Sequence, residues 1–140
     1  MALSVKQVDV WAISLEDRVG SLAEKLLPLA AAGANLELVL ARGAPEHPGR
    51  GVVFVSPLKG AAQVKTAEKV GFLKTQNLHT LRAEGPDKPG FGEKLTKALA
   101  AAKIDLRGVV ALTIGKRFVV YLAFDGKDEL TKAARILRKL

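Results

Sequence analysis

The residues best suited to chemistry lie in a glycine-dense loop at residues 85–95, GPDKPGFGEKL. Gly85 and Gly90 have the separation of the two glycines in a phosphate-binding loop, GxxxxGK[ST]. Phe91 and Gly92 follow where that loop needs Lys and a hydroxyl residue, so the groups that would hold phosphate and magnesium are missing. The sequence therefore argues against a phosphate loop. It still predicts a turn whose glycines allow the backbone to approach a partner closely.

Groups for catalysis are few. The chain has 2 His and 0 Cys, and His47 and His79 lack the spacing of metal ligands. The paired carboxylates at residues 16–17 and 128–129 flank a turn and a helix start, where acidic residues are common. No serine lies in a G-x-S-x-G elbow. We expect a protein that is not an enzyme and that needs neither a metal nor a cofactor.

Composition predicts a folded domain. Hydrophobic residues make up 49% of the 140 residues, enough to bury a core. No apolar run approaches the roughly 20 residues that span a membrane, and the N-terminus lacks the layout of a signal peptide. The absence of cysteine fits a cytoplasmic location. We therefore expect a cytoplasmic protein without a membrane partner.

The positive charge is concentrated in one half of the chain. Residues 1–70 hold 8 Lys/Arg and 7 Asp/Glu, whereas residues 71–140 hold 14 and 7. Such asymmetry is compatible with an acidic partner or nucleic acid. The few aromatic residues do not interleave with the basic ones as a base-stacking platform would. Nucleic-acid binding is therefore the least favoured alternative, and a solvated basic face is the simpler interpretation.

The chain contains an internal repeat. When the sequence is aligned with itself, Asp17-Arg18-Val19-Gly20 falls on Asp87-Lys88-Pro89-Gly90, and Asn35-Leu36 falls on Asp105-Leu106 at the same offset. The first half then carries four extra residues in the loop GAPEHPGRG, and the offset becomes 66, which places Val53 on Val119. Matches that do not depend on alanine indicate two copies of one unit.

Each copy has the same predicted elements. Alternation and helical spacing predict a strand, a helix, two strands and a helix, twice over. This β-α-β-β-α order predicts an α+β fold of two ferredoxin-like units, each an antiparallel sheet with helices on one face. The predicted strands cover residues 8–15, 35–42, 51–56, 104–114 and 117–124, and the predicted helices cover residues 20–32, 59–70, 90–102 and 126–138.

The second copy lacks a fourth strand of its own, because the sequence stops directly after its last helix. The segment 71–85 is long enough for two strands, and the segment 1–15 is longer than one strand needs. If the two segments run antiparallel, the N-terminus fills the open edge of the second copy and one continuous sheet becomes possible. We predict units at 1–77 and 78–140, with residues 1–7 exchanged into the second.

Two stretches, LEDRVGSLAEKLLPLAAAGANLEL and GPDKPGFGEKLTKALAAAKIDLRG, resemble the start of ACT domains. That family's signature is a strand, an Asp-basic-Pro-Gly turn, a helix and Ala-Gly-Ile-Asn-Ile before the second strand. The resemblance covers nearly the whole chain as two tandem copies. Val19 replaces the usual Pro, Lys103 replaces Gly, and Asp105 replaces Asn. These departures leave open whether both copies keep a site.

The resemblance implies regulation, because ACT modules pair side by side and often bind a small molecule, typically an amino acid, between modules. It implies a tandem ACT protein with no attached catalytic domain that acts through a partner enzyme or transporter. We also expect a homodimer, because paired ferredoxin-like sheets leave edges and helix faces to cover. The glycine turns would face a ligand carboxylate, and Asn35 and Asp105 would face its ammonium group. The expected ligand-binding residues are Asp17, Arg18, Gly20, Ser21, Leu22, Asn35, Leu36, Asp87, Lys88, Gly90, Phe91, Asp105 and Leu106.

Simpler interpretations stand beside this one. Asp-Lys-Pro-Gly is a favourable β-turn in its own right, and Asp17 and Asp87 could be turn formers or helix caps. Phe91 could close over an apolar ligand group or belong to the core. The main alternative function is a ligand-free protein-interaction module. The basic stripe of the last helix, Lys132, Arg135, Arg138 and Lys139, could contact an acidic partner or RNA, or be solvated.

Overall fold

The computed structural model describes residues 3–140, and within them it contains eight strands and four helices. The helices are α1 (Ser21–Ala31), α2 (Gly60–Val70), α3 (Phe91–Ala101) and α4 (Lys127–Arg138). The strands are β1 (Ser4–Val8), β2 (Trp11–Glu16), β3 (Leu38–Gly43), β4 (Arg50–Ser56), β5 (Leu73–Lys74), β6 (His79–Pro86), β7 (Gly108–Ile114) and β8 (Arg117–Phe124).

The chain divides into two compact units. Residues 9–75 form one unit, called the first repeat below, and residues 76–140 together with the N-terminal strand form the other, called the second repeat. Each has a four-stranded antiparallel sheet, in the order β5-β2-β4-β3 in the first repeat and β1-β6-β8-β7 in the second. The predicted α+β fold of two ferredoxin-like units is therefore confirmed.

Strand β1 completes the second repeat, as the sequence predicted. It pairs with β6 from Ser4, opposite Glu84, to Val8, opposite Thr80. The side chain of Leu3 belongs to the core of this repeat, and the Arg138 guanidinium donates a hydrogen bond to the Val5 carbonyl at 3.1 Å. The N-terminal strand is thus held by backbone pairing, apolar burial and a contact from α4.

The single continuous sheet that the sequence made possible does not form. Val8 pairs with Thr80 in one sheet and Trp11 pairs with Lys74 in the other. Two residues intervene between these pairs on the N-terminal side and five on the other, so one uninterrupted ladder cannot include both. Directly beyond the Trp11–Lys74 pair, the side chain of Thr75 and its backbone N–H both donate to the Val10 carbonyl.

Strand pairing corrects the alignment of the repeats. Ile13 pairs with Val53, and Ala83, the counterpart of Ile13 in the second repeat, pairs with Val120. The offset between β4 and β8 is therefore 67 rather than 66, so three of the four extra residues of the first half are inserted between the paired positions of β3 and β4. The fourth lies between β4 and α2, because the fully buried Ala67 and Ala133 of α2 and α4 keep the offset of 66.

Each repeat buries its helices against one face of its own sheet. In the second repeat Leu95, Leu99 and Leu137 project from the helices onto Leu81 and Leu122 of the sheet, and all five are almost fully buried. Their helical spacing of four residues and their alternation along the strands account for this packing. The first repeat has an equivalent core containing Trp11, Leu29, Val53, Val55, Ala67 and Phe72.

Candidate functional site

The two β–α turns that carry the Asp-basic-x-Gly pattern are built alike. In the first, the Asp17 backbone N–H donates to the Gly49 carbonyl at 3.0 Å. In the second, the Asp87 N–H donates to the Lys116 carbonyl at 2.8 Å. Each turn is thereby fixed to the neighbouring hairpin loop of its own repeat. This bond gives Asp17 and Asp87 a positional role through their backbones.

Glycine is required at the start of α1 and α3. Gly20 and Gly90 are left-handed, with φ of 86° and 79°, and nothing lies within 4 Å of where a side chain would begin. The chain turns into the helix through Ser21 N–H to the Arg18 carbonyl and Phe91 N–H to the Lys88 carbonyl, both 3.2 Å. The glycines therefore serve backbone conformation rather than a tight packing contact.

Neither helix start is capped by a side chain. The N–H groups of the first helical turn, including that of Leu22, lie at the positive end of the helix dipole. Gly20 and Gly90 are exposed and add no Cβ, so an anion can come close to these groups.

Arg18 is already engaged within the first turn. Its guanidinium donates to both oxygens of Glu24, at 3.0 and 2.7 Å, and to Glu16 at 3.0 Å. The hydrogen bonds from Arg18 lower the pKa of Glu24, and those carboxylates raise the pKa of Arg18. A ligand carboxylate would have to compete with Glu24 for this guanidinium. The main role of Arg18 is therefore to order the turn.

The polar residues predicted to face an ammonium group lie just before the second strand of each repeat. Asn35 and Asp105 are exposed, and β3 and β7 begin three residues after them, at Leu38 and Gly108, instead of at these residues. The Asp105 carboxylate accepts a hydrogen bond from the next backbone N–H, that of Leu106, at 3.0 Å. Both side chains are exposed and carry an oxygen that can accept a hydrogen bond.

Several other predicted site residues have structural positions. Phe91 is buried and packs edge-on against Phe118, with ring centroids 5.4 Å apart. Phe91 therefore belongs to the core and is not placed to close over a ligand. Ser21 is also buried, and Leu36 and Leu106 are half-buried against the cores. These residues shape the turns from within. The exposed members of the predicted set are Asp17, Arg18, Gly20, Asn35, Asp87, Lys88, Gly90 and Asp105.

Sequence reasoning missed an open cavity of about 470 Å³ in the first repeat. It lies beneath the β3–β4 loop, on the sheet face opposite the helices, and Arg42, His47, Arg50 and Phe54 are among its lining residues. None of the predicted site residues lines it. The alignment of the repeats shows that Ser14 replaces Glu84, but this exchange alone does not indicate a cavity.

Within residues 3–140, no group of three or more His, Asp or Glu side chains is placed to hold a metal ion. None of the helices in this range is both long enough and apolar enough to cross a bilayer.

Solved structures share this fold over the whole chain. A protein from Bacteroides thetaiotaomicron superposes with a TM-score of 0.79 at 18% identity, covering 96% of this chain and 89% of its own. The ligand-free regulatory subunit of aspartate kinase from Thermus thermophilus gives 0.67 at 14% identity, covering 99% and 96%. No protein-family profile and no curated protein sequence matches the chain.

A third similarity links the fold to a larger enzyme. An aspartate kinase from Clostridium acetobutylicum, described as an important allosteric enzyme, gives a TM-score of 0.63 at 14% identity, covering 98% of this chain and 33% of that one. The present chain thus corresponds in fold to a third of that kinase and to nearly all of a separate regulatory subunit. These similarities support the predicted arrangement of two ferredoxin-like units over the whole chain at the level of fold.

Proposed function

We propose that this chain is a regulatory protein that binds a small molecule, an amino acid, and acts through a partner enzyme or transporter. The observation that carries the proposal is the pair of uncapped helix starts at Gly20 and Gly90. Each helix start has uncapped backbone N–H groups beyond its first residue, and each repeat also carries an exposed polar residue, Asn35 or Asp105, whose oxygen suits an ammonium group. A carboxylate and an ammonium group on one carbon distinguish amino acids from simple anions.

The whole-chain similarity to the regulatory subunit of an aspartate kinase supports the same proposal. In that protein the two-unit fold is a separate subunit, and in the Clostridium enzyme it is a third of the chain. A protein of this shape therefore has precedent as the regulatory part of an enzyme. We infer from this a role in regulation and not in catalysis.

A thermal-shift scan against the common amino acids tests the proposal. A ligand at 100 times its dissociation constant stabilises the folded state by about 2.7 kcal/mol, which raises the melting temperature by several degrees. The variants Asn35→Ala and Asp105→Ala are exposed and should fold normally, so loss of the shift in one of them assigns the site to a repeat. A flat response across the panel would contradict the proposal.

Self-association is the second part of the proposal. Strand β7 is an open edge of its sheet, with Val109, Leu112 and Ile114 exposed, Ile114 by 69%. Open apolar edges favour pairing with another chain, so we propose a homodimer in which this edge is covered. Sedimentation of wild type and Ile114→Lys is the test: the variant should dissociate more readily, and a monomeric wild type would remove the idea.

The open edge also favours the alternative of a ligand-free interaction module. An amino-acid-binding regulator should give a saturable response to a small molecule, whereas a ligand-free interaction module should not. If Ile114→Lys changes assembly while no amino acid changes the melting temperature, the interaction module is the better description.

A further inference from the structure

The cavity of the first repeat has a floor and a roof that belong to different elements. Val53 and Val55 of β4 are fully buried on the helix side, so Val52 and Phe54 face the opposite side and form the apolar floor. The roof is the β3–β4 loop, which includes His47. An apolar floor with polar groups around it is the usual composition of a small-molecule site.

The roof is an ordered structure. The backbone N–H of Ala44 donates to the Arg50 carbonyl, that of His47 to the Ala44 carbonyl, and that of Arg50 to the His47 carbonyl, all at 2.9 to 3.0 Å. The Gly49 carbonyl is fixed by the Asp17 N–H, and Gly49 takes a left-handed φ of 81°. These bonds fix the conformation of the loop that roofs the cavity.

Arg50 lies at the edge of this cavity with an unusual partner. Its guanidinium donates through Nε and Nη2 to the Ser14 hydroxyl, at 3.3 and 3.0 Å. Within residues 3–140, no carboxylate lies within ion-pair distance of Arg50. The hydroxyl orients the guanidinium, whose remaining donors can serve a second acceptor. Glu16 lies directly opposite Arg50 in the pairing of β2 with β4, but its carboxylate accepts from Arg18.

In the second repeat the equivalent arginine is paired with a carboxylate. Arg117 is its counterpart, because Ser14 pairs with Val52 two residues after Arg50, and Glu84 pairs with Val119 two residues after Arg117. Arg117 has an ion pair with Glu84 at 3.5 Å. The first repeat therefore keeps the arginine and replaces the carboxylate with a serine. This exchange removes a built-in anion at the point where the cavity opens.

The other charged side chains that line the cavity, Arg42 and Glu46, also favour an anionic ligand. Arg42 approaches Glu46 only at 3.9 Å and donates to the Gly43 carbonyl at 3.0 Å. Two arginines and one carboxylate line the cavity, so the net formal charge of these side chains is positive.

We propose that this cavity binds a small organic anion with an apolar body. The anionic group bonds to Arg50, in the position of the missing carboxylate, and the apolar body lies on Val52 and Phe54. Guanidinium forks bind carboxylate and phosphate oxygens with defined geometry. This site is separate from the β–α turns, and it does not depend on the proposed binding of an amino acid there.

The test is an NMR titration of the full chain with phenylacetate, phenyl phosphate and the uncharged phenylacetamide. We expect saturable amide shifts at residues 44–54 with at least one of the two anions, and at least tenfold weaker binding of the amide. Arg50→Gln should weaken anion binding about tenfold or more. Arg117→Gln removes the matching arginine of the second repeat and should leave the affinity unchanged.

Ser14→Glu gives the sharpest variant, because it installs the carboxylate that the second repeat has. The new Glu should pair with Arg50 and abolish anion binding, while the amide spectrum outside residues 10–16 and 42–56 stays that of a folded protein. The proposal is overturned if neither anion shifts these amides. It is equally overturned if phenylacetamide binds as well as phenylacetate, or if Arg50→Gln and Ser14→Glu retain wild-type affinity.

Discussion

The two repeats differ most on the sheet face that points away from their helices. In the second repeat this face carries a network in which Glu84 accepts from Arg82 at 3.0 Å and pairs with Arg117, while Tyr121 Oη accepts from Arg82 at 3.2 Å. In the first repeat Ala12 takes the position of Arg82 and Ser14 that of Glu84. Arg50 takes the position of Arg117, and Phe54 that of Tyr121. On this face the second repeat carries ion pairs, whereas the first repeat contains the cavity.

The hairpin loops differ in the same direction. In the second repeat β7 and β8 are joined by Gly115 and Lys116 alone, which leaves nothing to cover the sheet. In the first, residues 44–49 join β3 and β4 and roof the cavity. Smaller side chains beneath and a longer loop above are both needed for the cavity. The comparison shows that the copy without the salt bridge and with the longer loop is the one that contains the cavity.

The largest expected effect concerns the fourth strand, which the repeats acquire differently. Leu3→Ala should lower the free energy of unfolding of the second repeat by about 2–4 kcal/mol, since Leu3 is only 8% exposed in its core. The matched change in the first repeat, Leu73→Ala on a two-residue strand, affects a side chain that is 71% exposed. It should stay within about 0.5 kcal/mol. Hydrogen exchange of β6 and β2 reports each repeat separately, and equal effects would contradict this division.

Glu84→Gln tests the paired network. Glu84 is 30% exposed and Arg82 15%, so losing the charge between the two arginines should cost about 1–2 kcal/mol. Ser14→Ala removes the corresponding group of the first repeat, which is neutral and exposed, and should cost no more than about 0.5 kcal/mol. Chemical denaturation of both variants gives the comparison, and a larger cost for Ser14→Ala would reverse the account.

The same carboxylate predicts a dependence on pH. Hydrogen bonding to Arg82 holds the pKa of Glu84 below its usual value, despite partial burial that acts in the opposite direction. A lowered folded-state pKa stabilises the protein above the unfolded pKa of glutamate, about 4.3. That stabilisation is lost as the pH falls through the folded value. The stability difference between wild type and Glu84→Gln should therefore shrink below about pH 4.5, and a constant difference down to about pH 3 would contradict it.

The helix ends provide a smaller comparison. Gly33 ends α1 with φ of 86°, and Lys103, at the corresponding position after α3, takes the same left-handed conformation with φ of 60°. Both make equivalent hydrogen bonds, to the Ala30 and Ala100 carbonyls at 2.9 Å. Lys103→Gly should stabilise the protein by about 1 kcal/mol, and Gly33→Lys should destabilise it by a similar amount. Denaturation midpoints that move in the opposite directions would exclude backbone strain at Lys103.

The smallest effect is expected from giving the first repeat the second repeat's carboxylate. Ser14→Glu should create an exposed ion pair with Arg50, and such pairs are worth about 0–1 kcal/mol. Stability should therefore be unchanged or slightly raised, and a large loss would show that the first repeat cannot accept the charged arrangement. The Arg50 guanidinium then has a partner, as Arg117 does.

The sequence allowed the fold to be predicted because both repeats obey local rules. Alternation predicted β8 to the residue, and helical spacing with Gly33 placed the end of α1 within one residue. The interruption at Asp9 and Val10 was not predicted, because apolar alternation continues through these residues and only the pairing partners differ. The offset was misjudged by one residue in the strands, since valines at 52, 53, 119 and 120 fit either register.

The candidate turns could be predicted from the sequence as far as their backbones are concerned. Gly20 and Gly90 follow from the glycine pattern, but the burial of Phe91 depends on Phe118, a strand residue distant in sequence. The cavity could not be predicted, because it depends on which face Ser14 and Arg50 share and on how the loop folds back. Those features follow from strand register, which a single sequence does not specify at this precision.

The most direct measurement for the proposed function is amide chemical-shift mapping of the full chain against the common amino acids. We predict that one amino acid gives saturable shifts of the amides at Gly20–Leu22 or Gly90–Gly92, and that Asn35→Ala or Asp105→Ala removes the shifts in its own repeat. These amides lie outside the loop that an organic anion should perturb, so the two sites are read separately. Unshifted amides at both helix starts with every amino acid would contradict the proposal that this protein is an amino-acid-binding regulator.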